Sequence, residues 1–286
     1  MTAVNIQDKD FATLSGKVVV LTGGSSGIGL ATTNLLLDHN AIVVSGDIHE
    51  CPLEHKNLAS QITNVVDWSS LSALFDKAKD QYGRIDHVFA NAGISGRADY
   101  VNPRLNEQGK LLEPDHTTLD INLKAVINTA YLAIHHFKSQ SPSTGSIVCT
   151  ASIAAVQRFQ AVDYAAAKHG VLGLVRGLVP ALAAENIPIR VNAIAPHWTT
   201  SGMVPAALLD ATGQASQGPE VVARAVALLM ADESRQGQLV MSREGKHFEI
   251  GQRLNELTDQ LTGTAEELNG TTEKLVAFAR QHGQAA

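Results

Sequence analysis

The chain has 286 residues, 44% of them hydrophobic, and carries a formal net charge of −6 at pH 7. That composition suits a protein with a sizeable buried core, and the scattered Lys and Arg residues argue against a nucleic-acid or anionic-membrane partner. No apolar run approaches the roughly 20 residues of a membrane span, Met1–Asp10 lacks an apolar signal core, and the two cysteines, Cys51 and Cys149, fall in different elements, so a soluble, cytoplasmic protein with free thiols is expected.

From Lys17 onward, short β-rich runs alternate with helical patterns. Strands are expected at Val18–Thr22, Ala41–Asp47, Ile62–Val66, His87–Asn91, Ser146–Thr150, Ile189–Ile194 and Gln238–Met241. Helices are expected at Gly27–Asn40, Ser69–Tyr82, Thr117–Phe137, Tyr164–Glu185 and Pro219–Ala231. Such alternation predicts an α/β fold with a doubly wound parallel sheet and helices on both faces. Tyr164–Glu185 is apolar nearly all round, which suggests burial against the sheet and another subunit, and Pro180 is expected to kink it or end it early. Two segments fall outside the alternation. Gly96–Pro114 is a long polar insert, and at that length it is either functional or mobile. In the helix-prone tail, Leu254, Leu261, Leu268 and Leu275 recur every seven residues, but Thr264 and Thr271 interrupt the seam and Gly263 and Gly270 weaken the helix. An amphipathic tail packed on its own body or a neighbour is therefore favoured over a coiled coil. The expected division is an arm at 1–14, an α/β domain at 15–250 with a lid at about 197–220, and a helical tail at 251–286.

Thr22-Gly23-Gly24-Ser25-Ser26-Gly27-Ile28-Gly29 follows the first strand and opens the first helix. Glycines let the chain turn tightly and let a pyrophosphate approach, and the helix N-terminus offers unpaired N–H groups to the anion. Gly23, Ser25, Ser26, Gly27, Ile28 and Gly29 are thus candidate phosphate-cradling residues. Asp47 ends the second strand, where a carboxylate accepts hydrogen bonds from adenosine ribose hydroxyls and repels a 2′-phosphate. Tyr164 and Lys168 are four apart on one helix face. A tyrosine is a poor base at its ordinary pKa near 10, and the lysine ammonium favours the phenolate. No histidine shows metal-ligand spacing with a carboxylate or thiol, so no metal is expected.

Taken together, TGGSSGIG at Thr22–Gly29, Asp47, Asp67, NAG at Asn91–Gly93, Asn122, GSIVCTAS at Gly145–Ser152 and YAAAK at Tyr164–Lys168 resemble the short-chain dehydrogenase/reductase family. YAAAKHGV at Tyr164–Val171, IRVNAIAP at Ile189–Pro196 and the ending through Phe248 look closest to its NAD-dependent 15-hydroxyprostaglandin dehydrogenase-like branch. The resemblance covers roughly Ser15 to His247. It implies a single Rossmann-like catalytic domain (15–250) with a seven-stranded sheet, a homodimer or homotetramer, and a catalytic set of Asn122, Ser152, Tyr164 and Lys168. In that set Ser152 would hold the substrate oxygen, Lys168 would also hold the nicotinamide ribose, and Asn122 would help hold a water leading from Lys168 to solvent. Asp67 would contact adenine, Asn91 would steady a strand end, and Gly93 would leave room for the cofactor. Pro196 and Thr199 would border the nicotinamide, with Ser201 a second candidate for the carboxamide contact.

Two departures stand out. Ser152 and Tyr164 are 12 residues apart, one fewer than in many members, and His197-Trp198 follows Pro196 where a glycine is usual. His197 and Trp198 are candidate pocket residues, and the His197 ring either lines the pocket or turns outward. The expected activity is NAD-dependent hydride transfer between nicotinamide and a secondary alcohol or ketone of an apolar small molecule: a terpenoid, steroid, polyketide or lipid alcohol. The alternatives are an NADPH-dependent ketone reductase and a cofactor-binding protein without redox turnover.

Overall fold

In the computed structural model, residues 1–282 are described; residues 283–286 of the expected tail lie outside the described residues. The chain forms strands β1 (Thr2–Val4), β2 (Val18–Thr22), β3 (Ile42–Asp47), β4 (Leu58–Ile62), β5 (His87–Ala90), β6 (Gly145–Thr150), β7 (Ile189–Pro196), β8 (Leu239–Arg243) and β9 (Lys246–Glu249). They make one sheet in the order β1-β9-β8-β7-β6-β5-β2-β3-β4, parallel from β4 through β8. The doubly wound α/β class is as expected.

The strand count differs from seven. β8 turns back into antiparallel β9, and β9 pairs with β1 of the N-terminal arm. The β8–β9 turn places Glu244 at φ 51° and Gly245 at φ 79° between paired Arg243 and Lys246, the two positive angles that a tight hairpin requires. β4 also lies earlier than the expected Ile62–Val66. An edge strand has one neighbour and needs no continuous apolar run, so half-exposed Leu-Ala-Ser-Gln-Ile pairs with β3, while the chain leaves the sheet at Thr63.

The helices are α1 (Gly27–Asp38), α2 (Trp68–Tyr82), α3 (Thr117–Leu119), α4 (Ala125–Lys138), α5 (Val162–Ala184), α6 (Ala206–Ala211), α7 (Pro219–Ala231), α8 (Gly251–Thr262) and α9 (Ala265–Gln281), with a π-helical turn at Asp120–Lys124 joining α3 to α4. Alternate residues of β2 serve two cores. Val18 and Val20 join Leu71, Phe75, Phe137 and Val171 on the α2–α4–α5 side. Val19 and Leu21 join Leu36, Val226 and Leu229 on the α1–α7 side.

Pro180 does not end α5, which continues to Ala184. Its ring follows exposed Arg176 and Gly177 on the same face, and neither Gly173 nor Gly177 carries a Cβ there, so water can meet the carbonyl the proline leaves unbonded. The same face of α5 is exposed in the single chain rather than buried all round. Leu254 packs on the body, but the helix breaks at Gly263 (φ 86°), and Leu257, Leu261, Leu268, Leu275 and Phe278 are exposed. Both thiols are free. Among the described residues no helix is long and apolar enough to cross a membrane, and no cluster of three metal-ligating side chains occurs.

Candidate active site

The C-terminal ends of β2, β3, β5, β6 and β7 meet where the strand order reverses between β2 and β5, the place at which open α/β sheets bind ligands. At β2, Gly23 has φ 72°, and a Cβ there would sit 2.8 Å from Ala92 Cα. A Cβ on Gly29 would collide with the Gly23 carbonyl. Glycine is thus demanded twice by the turn itself. The N-cap Ser26 makes no side-chain capping bond to α1, which leaves the first-turn amides directed at any anion beside the turn. Gly27 and Ile28 begin that helix, with Gly27 at φ 50°.

Asp47 ends β3 beside this turn. Its Oδ2 accepts the Ser25 N–H (2.9 Å) and its Oδ1 accepts the His49 N–H (3.0 Å), while the Ser25 hydroxyl donates to the His49 carbonyl (2.9 Å). The carboxylate is therefore oriented by main chain, with lone pairs left for further donors. Glycine turn, open helix start and oriented carboxylate together fit an adenine dinucleotide.

Asp67 behaves more locally. It caps α2 by accepting the Ser70 N–H (2.8 Å), and Trp68 beside it is half exposed with its ring 6.3 Å from that of Tyr131. Asn91 follows β5. Its amide donates to the Thr22 and Gly23 carbonyls (both 3.1 Å), and its Oδ1 accepts the Thr150 hydroxyl (3.1 Å). A Cβ on Gly93 would lie 3.2 Å from Asn122 Oδ1.

Asn122 occupies the π-helical turn, fully buried. Its Oδ1 accepts the Ile94 N–H (2.8 Å) and its Nδ2 donates to the Ile94 carbonyl (2.7 Å). Both ends of the side chain are thus oriented by the strand-end loop, with one Nδ2 hydrogen and one Oδ1 lone pair left for a further partner.

Ser152, Tyr164 and Lys168 come together. Ser152 caps the 3₁₀ turn Ile153–Ala155 by accepting the Ala154 N–H (3.2 Å), and its hydroxyl also bonds the Tyr164 phenol. The Lys168 Nζ lies 5.6 Å from the centre of the Tyr164 ring and donates to the Thr150 carbonyl (2.7 Å). Burial holds the Tyr164 phenol above its ordinary value, and the Ser152 bond acts in the opposite direction. Burial lowers the Lys168 ammonium to about 8, opposed by Cys149, whose own thiol burial pushes up to about 12. A neutralisable ammonium beside a phenol in a dry site is an arrangement that moves protons.

Pro196 ends β7, and the residues after it begin the expected lid. His197 is half buried, its ring perpendicular to that of Trp198 at 6.3 Å, and burial, then the Arg243 charge, lowers its pKa. Thr199 is buried, its hydroxyl donating to the His197 carbonyl (2.9 Å) and receiving the Gln217 amide (3.3 Å). Ser201 instead lies against the glycine turn, its Cβ 3.1 Å from where a Gly27 Cβ would stand. Sequence reasoning missed three residues here. Phe159 bridges Tyr164 (6.0 Å) and Trp198 (6.3 Å), making an aromatic wall. Gln217 closes the lid's base through Thr199, the Ser242 carbonyl (2.8 Å) and the Gly245 N–H (3.3 Å). Asp163, immediately before Tyr164, is buried among main-chain amides. A carboxylate in the first turn of a helix was its visible signal; a lone aromatic between Ser152 and Tyr164 was that of Phe159. Gln217 gave none.

Comparison with known proteins agrees with this geometry. The family described as short chain dehydrogenase matches residues 17–211. The short-chain dehydrogenase/reductase ascJ of Acremonium egyptiacum is 51% identical over 254 residues, 87% of this chain and 86% of its own length. The short-chain dehydrogenase/reductase prx4 of Penicillium roqueforti is 36% identical over 211 residues, covering 72% of this chain, which spans only 61% of prx4. Among solved structures, the NADPH-dependent 3-quinuclidinone reductase of Rhodotorula rubra is similar with a TM-score of 0.68 at 22% identity, covering 86% of this chain and 96% of that one. The 3-ketoacyl-(acyl-carrier-protein) reductase of Brucella melitensis, complexed with NADH, gives 0.69 at 23% identity over 81% of this chain and 98% of that one. At those identities the two structures speak for the fold alone. Sequence match, sheet order and the gathered side chains agree, and the chain belongs to the short-chain dehydrogenase/reductase family of oxidoreductases.

Proposed function

We propose that the protein is an NAD-dependent oxidoreductase that interconverts a secondary alcohol and its ketone on an apolar, medium-sized molecule. The observation that carries this reading is the gathering of Tyr164, at the head of α5, with the buried Ser152 and Lys168. When bound, the nicotinamide supplies the hydride-accepting carbon and, oxidised, a positive charge. Gly23, Ser25, Ser26, Gly27, Ile28 and Gly29 hold the pyrophosphate, Asp47 the adenosine ribose, and Asp67 with Gly93 the adenine side of the cleft. Pro196 and Thr199 or Ser201 border the nicotinamide, and Lys168 reaches its ribose.

Tyr164 Oη takes the hydroxyl proton as the alcohol is oxidised. Ser152 aligns the substrate oxygen with that phenol. Lys168, held by the Thr150 carbonyl, stabilises the phenolate and passes charge toward the Asn122 turn. Phe159, Trp198 and His197 form an aromatic side to the substrate site, which favours a flat or alicyclic apolar substrate over a charged one. NAD is favoured over NADP because Asp47 faces the turn and Ser25 and Ser26 provide no cation for a 2′-phosphate. The resemblance of Tyr164–Val171 and Ile189–Pro196 to an NAD-dependent branch points the same way, without implying a prostaglandin substrate.

The test is calorimetric titration with NADH and NADPH, followed by oxidation assays with menthol, 2-octanol, 1-phenylethanol and a 3-hydroxysteroid. NADH binding at least tenfold tighter, with turnover of one of these alcohols, is the expected outcome. Tighter NADPH binding would favour the ketone-reductase alternative. Cofactor binding without turnover across the panel in either direction would favour the cofactor-binding alternative.

A further inference from the structure

Asp163 is 1% exposed, yet it faces no cation among the groups that shift its pKa. Its Oδ2 accepts the main-chain N–H of Arg97 (2.8 Å) and Ala98 (3.1 Å), and its Oδ1 accepts that of Tyr164 (2.8 Å). The Thr118 hydroxyl of α3 sits beside both this carboxylate and the Ser95 carbonyl (3.4 Å). Burial alone would raise the Asp163 pKa; the amides overcome it and hold the carboxyl below its ordinary value. Opposite it, Gly96 passes so close that a Cβ would lie 2.6 Å from Asp163 Oδ1 and 3.0 Å from the Ala161 Cβ.

The start of the polar insert is thereby fixed to the turn of α5 that also carries Tyr164. Beyond that point the insert is self-supporting. Asp99 closes a turn by accepting the Val101 and Asn102 N–H groups (3.0 and 2.9 Å), and Leu105 pairs with Leu111 across a hairpin. Tyr100, Val101, Leu105, Leu111 and Leu112 are exposed there. A polar segment that starts beside Tyr164 and goes on to display five large apolar side chains has the chemistry of a substrate-facing wall.

We propose that Asp163 is a positioning residue: its carboxylate fastens the Gly96–Pro114 insert to the catalytic helix, so that the insert's apolar side chains select the substrate. This rests on the alcohol–ketone reading of Tyr164. In Asp163→Ala the Arg97 and Ala98 N–H groups lose their shared acceptor, which unfastens the clamp; an Asn would not serve, since its carbonyl oxygen could still accept both. Gly96→Ala loosens it from the other side and leaves the carboxylate in place.

With whichever panel alcohol the wild-type protein oxidises fastest, each variant should raise KM about tenfold, the scale of one unpaired buried amide. kcat should stay within about threefold and the NADH dissociation constant should not change. The double variant should be no worse than Asp163→Ala alone, because both changes release one clamp. Hydrogen exchange at the Arg97 and Ala98 amides should accelerate in both variants, a readout that needs no turnover. Unchanged exchange, or a fall in kcat with KM unmoved, overturns the proposal while wild-type turnover keeps the enzymatic reading intact. A wild-type protein that oxidises none of the four alcohols and reduces none of their ketones defeats the enzymatic reading, and the substrate-selecting role with it.

Discussion

The two sides of Tyr164 are built on different principles. On the cofactor side, Gly23, Asp47 and Asn91 sit at strand ends, and each is fixed by main-chain hydrogen bonds or by a backbone contact that tolerates no side chain. On the side proposed for the substrate, the Gly96–Pro114 insert is irregular and the segment after Pro196 carries only the short α6; the buried Asp163 side chain anchors the first and that of Gln217 the second. A sheet gives positional precision for a ligand that never varies. Two clipped loops let substrate choice change without disturbing that precision.

The sharpest way to break the comparison is at its centre. Tyr164→Phe removes the proton acceptor and should cost about 10²- to 10⁴-fold in kcat, the range of general-base catalysis, while NADH affinity stays within a few-fold. Steady-state rates and calorimetry on the same preparation check both halves, and retained turnover would sink the mechanism.

Next in size is a stability effect beneath the lid. Burial holds the His247 imidazole at about 4, with its Nδ1 3.0 Å from the Ser242 hydroxyl. The unfolded imidazole titrates near 6.5 and so binds more protons between those values. Stability is therefore complete above pH 6.5 and drains as the pH falls toward 4, by about 3 kcal/mol for this group. Unfolding midpoints recorded between pH 4.5 and 7.5 should slope downward on the acid side, and His247→Gln should reduce that slope, the remainder coming chiefly from His87, which burial lowers to about 3.

Asp47→Ala tests the cofactor side directly. Losing charge-assisted bonds to the ribose should weaken NADH about 10- to 100-fold, while NADPH, relieved of the repulsion on its 2′-phosphate, should bind more tightly, which calorimetric titration resolves. A smaller effect is expected from Gln217→Ala. It frees the base of the lid and should raise the cofactor KM about five- to tenfold without moving Tm as far as the acid titration does. Smallest of all, removing the chain from Thr264 onward should leave Tm unchanged, because Leu268, Leu275 and Phe278 are exposed in α9.

How much of this was legible in the sequence follows the same division. The run Val18–Thr22, its glycine turn and Asp47 could be read because strand, turn and helix start are local, and each constrains residue type at a fixed spacing. Tyr164 and Lys168 were legible because one helix turn brings them together. Asn122 was read as a site residue, but its double bond to Ile94 was not, since 28 residues of chain separate them and the contact depends on how the insert folds back. The Asp163 clamp spans 66 and 65 residues, and nothing near Asp163 announces its partners. The edge strand Leu58–Ile62 was missed because Val65 and Val66 gave a stronger apolar signal, although Val65 packs into the core after the chain has left the sheet. β9 was missed because a four-residue partner strand after Glu244-Gly245 leaves almost no periodicity to detect.

Asn91 carries a consequence for how ligands enter. Its side chain joins the end of β2 to the end of β6 across β5, so one residue stitches three strands at the seam where the sheet changes direction. In mechanical terms the cleft has a sewn floor and a hinged roof. Spreading the strands to admit a cofactor would tear three hydrogen bonds at once, whereas lifting the segment between Trp198 and Gln217 would strain its base and unseat the buried Leu209. In the proposed function traffic through this site is accordingly a matter of the roof, and the rate at which that segment opens should bound how fast product and cofactor can leave.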